Sequence, residues 1–119
     1  MKLSITTQSK IYIYTANMDM RKSINGLVAM LVDVFQQNPQ QGDLFVFTNK
    51  QRNKVKVLFW DKNGFVIYYK RLEKGRFNFS KYIHGDKICV NSTQLNALLM
   101  GLDFYLLGNY PASDCQDFF

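Results

Sequence analysis

One histidine and two cysteines are all that this chain offers of the side chains most used to hold transition metals. Cys89 and Cys115 are too few and too isolated for a disulfide scaffold or a zinc knuckle, and each is expected to be a reduced thiol without a role. His84 stands in a Tyr-Ile-His-Gly-Asp turn with no second ligand beside it in sequence, the setting of an ordinary loop histidine. No apolar run approaches membrane-spanning length, and the amino-terminal MKLSITTQSK lacks the apolar stretch of a signal peptide. No membrane partner is expected, and the cytoplasm is the expected location. A phosphate-binding glycine loop, a dinucleotide fingerprint, an internal repeat and a linker are all missing. No cofactor or bound metal is expected.

Acids are scarce where bases gather. Between Lys50 and Arg76 there are nine lysines and arginines against Asp61 and Glu73, a surplus of seven in a chain whose net charge is +6. Everything outside that stretch therefore sums to about −1. With 47% hydrophobic and 15% aromatic residues, the chain is no disordered basic tail. Its 119 residues suit a single domain, with a compact core over about 10–103 and an irregular tail over 104–119. A folded basic protein of this kind points to a polyanionic partner, most simply nucleic acid.

Local patterning predicts an α+β fold. Lys10–Tyr14 alternates and is β-branched and aromatic, which reads as a strand. Asn17 or Asp19 is placed to cap a helix in which Met20, Ile24, Leu27, Val28, Leu31, Val34 and Phe35 form an apolar stripe. Gly26 inside that helix implies a close backbone contact, and Asn38–Gly42 ends it. Leu44–Thr48, Lys54–Trp60 and Phe65–Arg71 read as an antiparallel three-stranded meander, extended by Lys10–Tyr14 and by a short strand at Lys87–Val90. Ser92 caps a second helix with Leu95, Leu98, Leu99 and Leu102 on its apolar side.

The turn Asp61-Lys62-Asn63-Gly64 suits a type I turn closed by Gly64 in the left-handed region. That geometry sets Trp60 opposite Val66 and Lys56 opposite Lys70. Like charges at that spacing destabilise a sheet unless a phosphate or a carboxylate compensates them. Arg21 and Lys22 fall in the first turn of the first helix, where they are either solvated surface charges or, with the helix amides, an anion site. The residues expected at a nucleic acid are therefore Arg21, Lys22, Lys54, Lys56, Lys70, Arg71, Lys74 and Arg76. Trp60 and Tyr68 share one strand face in this register, as stacking or partner-docking residues or as core beneath a covering helix.

Carboxylates that could serve a metal-dependent nuclease are Asp43, Asp61 and Glu73. Adjacent Glu73 and Lys74 on a strand would point to opposite faces, and Asp61 is explained by its turn. No converging ligand set is visible.

Four blocks then line up in order: Asp19-Met20-Arg21-Lys22-Ser23-Ile24-Asn25-Gly26-Leu27; Leu44-Phe45-Val46-Phe47; Lys56-Val57-Leu58-Phe59-Trp60-Asp61 with Gly64-Phe65; and Tyr69-Lys70-Arg71-Leu72-Glu73-Lys74-Gly75-Arg76-Phe77. Together they resemble the TnpB (second reading frame) accessory proteins of IS66-type bacterial insertion sequences, from about Ile11 to about Asp103. The RNA-guided nuclease that shares the name TnpB is a different, much longer protein with a carboxylate active site. Where the family usually has Trp-Pro after its phenylalanine block, this sequence has Phe79-Ser80. The resemblance implies a mobile-element protein needed beside a separate, larger transposase. Three functions follow as expectations. The first is a non-catalytic accessory protein binding DNA, at element ends or as non-specific duplex, through a basic hairpin face. The second is an adaptor docking the transposase through Trp60 and Tyr68, and the third a metal-dependent nuclease. The oligomeric state has no signature in the sequence.

Overall fold

Every residue of Leu44-Phe45-Val46-Phe47-Thr48 is buried, so this run occupies the middle of a sheet covered on both faces. The computed structural model describes residues 9–78 and 87–101. In chain order its elements are β1 (Ile11–Asn17), α1 (Ile24–Asp33), β2 (Leu44–Thr48), β3 (Lys54–Asp61), β4 (Gly64–Arg71), β5 (Lys87–Val90) and α2 (Ser92–Leu99). The five strands form one sheet in the order β4-β3-β2-β1-β5. The expected place of Leu102 in the apolar stripe of α2 and the expected tail over 104–119 lie outside the described residues, as do His84 and Cys115.

The sheet is mixed. β2, β3 and β4 pair antiparallel as expected, and β5 pairs antiparallel with β1. β1, however, lies parallel to β2, with Ile11 beside Leu44 and Ile13 beside Val46. The arrangement is therefore not the purely antiparallel meander that alternation suggests. The cause is α1: a helical crossover returns the chain to the end where β1 began, so β2 must run in the same direction.

α1 starts later than its apolar stripe implies. Asp19 does not cap it; the Asp19 carboxylate instead accepts the Arg21 amide at 2.9 Å and so closes a turn. Ser23 is the cap, its Oγ accepting the Gly26 amide at 3.4 Å. Arg21 and Lys22 consequently lie in the turn before the helix and not in its first turn. Gly26 meets no close backbone: a Cβ there would lie 3.7 Å from Lys22 Cβ, an ordinary contact. At the far end, Gln36 takes the left-handed conformation at φ 53° and the Gln37 amide donates to the Leu31 carbonyl at 2.8 Å. α2 is capped by Asn91, one residue before Ser92, in a reciprocal capping box with Gln94.

The β3–β4 register is one residue away from the expected one. Asp61 pairs with Gly64 around a two-residue loop, and Lys62, not Gly64, takes the left-handed conformation at φ 54°. Trp60 therefore faces Phe65, and Lys56 faces Tyr69 while Val55 faces Lys70. A one-residue change moves a whole strand's side chains to the other face.

Two cores result. On one face α1 lays Leu27 and Leu31 over Tyr12, Tyr14, Phe45, Phe47 and Leu58. Tyr12 stacks on Phe45 and Tyr14 on Phe47, with ring centroids 5.7 and 5.3 Å apart. On the other face α2 lays Leu95, Leu98 and Leu99 over Ile11, Ile13, Val46, Val57 and Phe59, joined by Phe77. Each buried leucine or phenylalanine contributes about 1.5–3 kcal/mol of transfer free energy. Cys89 is buried on β5 beside Tyr12.

Candidate nucleic-acid interface

Strand direction decides where the charge goes. β1, β2 and β4 point one way and β3 and β5 the other, so the carboxyl ends of the first three and the amino ends of the last two form one end of the sheet. Arg21 and Lys22 follow β1, and Lys50 and Arg52 follow β2. Lys54 and Lys56 open β3, Lys70 and Arg71 close β4, Lys74 and Arg76 follow it, and Lys87 opens β5. Every described lysine and arginine except Lys10 and Lys62 thus belongs to this end, with only Asp19 and Glu73 as described acids among them. The opposite end carries Lys10, Asp43, Asp61 and Lys62.

The loops that bear these cations are tied to one another. The Met18 amide donates to the Thr48 carbonyl at 2.8 Å, and the amides of Leu72 and Phe77 donate to the carbonyls of Asn53 and Arg52, each at 2.7 Å. Asn49, almost fully buried, organises the β2–β3 loop. Its Oδ1 accepts the amides of Asn53 and Lys54 at 3.1 and 3.0 Å, and its Nδ2 donates to Asn53 Oδ1 at 2.7 Å and Gln51 Oε1 at 3.2 Å. Between this loop and the β1–α1 connection lies a groove of about 410 Å³, with Asn17, Asp19, Met20 and Arg21 on one wall and Asn49, Lys50, Gln51 and Lys54 on the other.

The cations differ in what they already hold. Lys56 reaches the carbonyls of Met20 and Lys22 at 2.5 and 3.0 Å, and Lys70 reaches the Leu99 carbonyl at 2.5 Å. Arg52 is partly buried and donates to Thr48 Oγ1 at 3.0 Å, and its burial lowers its pKa. Arg21 makes a forked pair with Asp19 at 2.8 to 3.2 Å, and those hydrogen bonds hold the Asp19 carboxyl well below the usual carboxylate range. Arg71 pairs with Glu73 at 3.0 Å. Lys22, Lys50, Lys74 and Arg76 are exposed.

Of the eight expected phosphate-facing residues, all lie at this end, but they do not line one hairpin face: Lys56 and Lys70 point to opposite sides of the sheet. Trp60 and Tyr68 are also separated. Trp60 packs edge-on against Phe65, centroids 4.9 Å apart, at the other end of β3 and on the α1 side. Tyr68 lies on the α2 side, partly buried against that core. Lys50, which sequence reasoning counts only within the basic surplus, and the half-exposed Tyr69 join the basic end, although neither is among the residues expected at a nucleic acid. Their signal, a polar Asn-Lys-Gln-Arg-Asn loop after a fully apolar strand and an aromatic beside Lys70, acquires meaning only once the strands have directions.

Asp43, Asp61 and Glu73 are dispersed. Asp43 binds the Lys10 amide at 3.1 Å and Asp61 sits in the β3–β4 turn. Glu73 is beyond the other end of β4, about 25 Å from Asp61 at a strand's rise per residue. Among the described residues, no three histidine, cysteine, aspartate or glutamate side chains gather as metal ligands, and no helix is long and apolar enough to cross a membrane.

The family described as IS66 Orf2 like protein matches residues 9–107, the whole sheet and both helices. Two proteins of Sinorhizobium fredii, both called uncharacterized, are similar over most of the chain. One, y4jC, is 32% identical over 102 residues, covering 86% of each chain. The other, y4hO, is 34% identical over 95 residues, covering 80% of this chain and 82% of that one. No solved structure matches. With the four sequence blocks all inside the matched span, the chain belongs to the IS66 Orf2-like family of transposition accessory proteins.

Proposed function

We propose that this protein acts beside the transposase as a non-catalytic DNA-binding factor, with the basic end of its sheet against the phosphate backbone. The observation that carries this reading is the segregation of charge: Lys22, Lys50, Lys54, Lys74 and Arg76 surround one groove-bearing end, while the acids Asp43 and Asp61 stand at the other. A field of that shape orients a polyanion as well as attracting it. Phosphate contacts set position and carry no sequence information themselves. Gln51, on the groove wall beside Lys50, is the polar side chain best placed to add it.

The test is fluorescence anisotropy with two labelled duplexes, one carrying the element's terminal inverted repeat and one scrambled, over a salt series. For six phosphate contacts the log–log salt slope is about −5. A slope of that size supports the reading, and preference for the repeat makes the protein a targeting factor. Flat anisotropy at low salt for both duplexes and for a single strand of the same length overturns it.

A second reading, an adaptor for the transposase, draws support from a different surface. Val28, Val32, Pro39 and Phe65, the ring against which Trp60 packs, line a groove of about 590 Å³ together with Gln36, Gln37, Asn38 and Gln40, and Val32 is half exposed. Transposase capture that survives Lys50→Glu but fails on Val32→Glu favours that reading.

A further inference from the structure

We infer that Tyr69 is a stacking platform for one unpaired base, so that the basic end takes single-stranded DNA in preference to a closed duplex. The inference rests on the DNA-binding reading above and adds the form of DNA to it. Tyr69 is 50% exposed, and no other aromatic side chain among the described residues is as open. It stands near the carboxyl end of β4, the edge strand of the sheet, within the basic end.

The ring is held by a cation. Lys56, its direct partner across β3, places Nζ 5.7 Å from the ring centroid, and that ammonium is itself fixed by the Met20 and Lys22 carbonyls. At an exposed site such a contact is a modest attraction, which favours this orientation of the ring, with half of its surface open to solvent. Two more cations share its sheet face: Arg71, two residues along β4, and Lys54, the partner of Arg71. Lys54 is also a wall of the groove. Diagonal neighbours in an antiparallel pair lie about 7–8 Å apart, within the span from a nucleotide's phosphate to its base. A strand whose phosphate lies at Lys54 can therefore lay a base on Tyr69. Duplex DNA keeps its base faces stacked inside and offers that ring nothing, whereas an unpaired base has a free π-face.

Anisotropy on the full chain tests this with a labelled oligothymidylate and a labelled duplex of equal length. Tyr69→Ala is expected to weaken oligothymidylate binding about five- to 150-fold, the range for loss of one base–aromatic stack. Duplex binding stays unchanged, and Tyr69→Phe, which keeps the ring, binds both probes as the parent does. Equal weakening on both probes, or no change on oligothymidylate, overturns the stacking role while leaving the DNA-binding reading in place. Failure of the parent protein to bind either probe overturns both. An unchanged thermal melt of Tyr69→Ala shows that the loss is not one of folding.

Discussion

Lys56 and Lys70 point to opposite faces of the sheet, and each ends on main-chain carbonyls beside a helix terminus. Lys56 binds the Met20 and Lys22 carbonyls just ahead of the Ser23 cap, and Lys70 binds the carbonyl of Leu99, the last residue of α2. A cation at a helix carboxyl terminus also meets the favourable end of its dipole. Lys56→Met and Lys70→Met are each expected to destabilise the fold by about 1–3 kcal/mol, because they leave part-buried carbonyls without their partner. Lys74→Met, on an exposed turn, should stay within about 0.5 kcal/mol. Urea denaturation midpoints at constant slope measure all three, and equal midpoints would show that the two lysines are ordinary surface charges.

Asn49 makes its hydrogen bonds within the β2–β3 loop and with the start of β3, and so fixes the wall that carries Lys50 and Gln51. Asn49→Ala strands two backbone amides and should cost about 1–3 kcal/mol. It should also speed hydrogen exchange at the Asn53 and Lys54 amides. Unaltered exchange at those two positions would mean that the loop holds its shape without the asparagine.

Gly26 has room for a side chain, since a methyl group there would find its nearest neighbours at ordinary contact distance, Lys22 Cβ at 3.7 Å and Cγ at 3.8 Å. Gly26→Ala should therefore stabilise the protein by up to about 1 kcal/mol, through helix propensity and a less flexible unfolded chain. A lower melting temperature for the variant would reveal a need for glycine that the packing does not show.

Which of these relationships the sequence discloses depends on whether the deciding force is local. The strands Leu44–Thr48 and Lys87–Val90 are legible because turn residues bound short apolar runs, and the stripe of α2 is legible from its 3.6-residue period. The register of β3 against β4 is not. Both faces of the sheet are covered, so Val57 and Phe59 find a core on one side and Leu58 on the other, and alternation cannot choose between registers. The choice falls to the Asp61–Gly64 loop, where Lys62 accepts the left-handed conformation and sets Trp60 on Phe65. Parallel pairing of β1 with β2 is equally silent, because periodicity names a strand and not its neighbour. The candidate site inherits both gaps: its cations are recognisable by charge, but their gathering at one end follows from strand direction.

Asp19 and Arg21 supply a pH-dependent reporter within the groove. Arg21's hydrogen bonds depress the Asp19 pKa below the unfolded value of about 3.9. The pair therefore contributes stability above that value, and the contribution is lost as pH falls through the folded pKa. With Arg21 almost fully exposed, solvent screening keeps that contribution small. A carboxyl NMR titration should place the Asp19 midpoint below the usual carboxylate range, and Arg21→Ala should raise it towards about 3.9. A midpoint indifferent to Arg21→Ala would contradict the forked pair.

The segregation of charge is tested most directly by two variants with the same change in net charge at opposite ends of the sheet. One is Lys50→Glu with Lys54→Glu, and the other Lys10→Glu with Lys62→Glu. DNA-binding anisotropy over a salt series should show the first pair losing most of its affinity and flattening the log–log slope by about two, as two phosphate contacts disappear. The second pair should keep its slope. Equal losses in the two variants would mean that overall charge, and not this end of the sheet, attracts DNA, and would contradict the proposed interface.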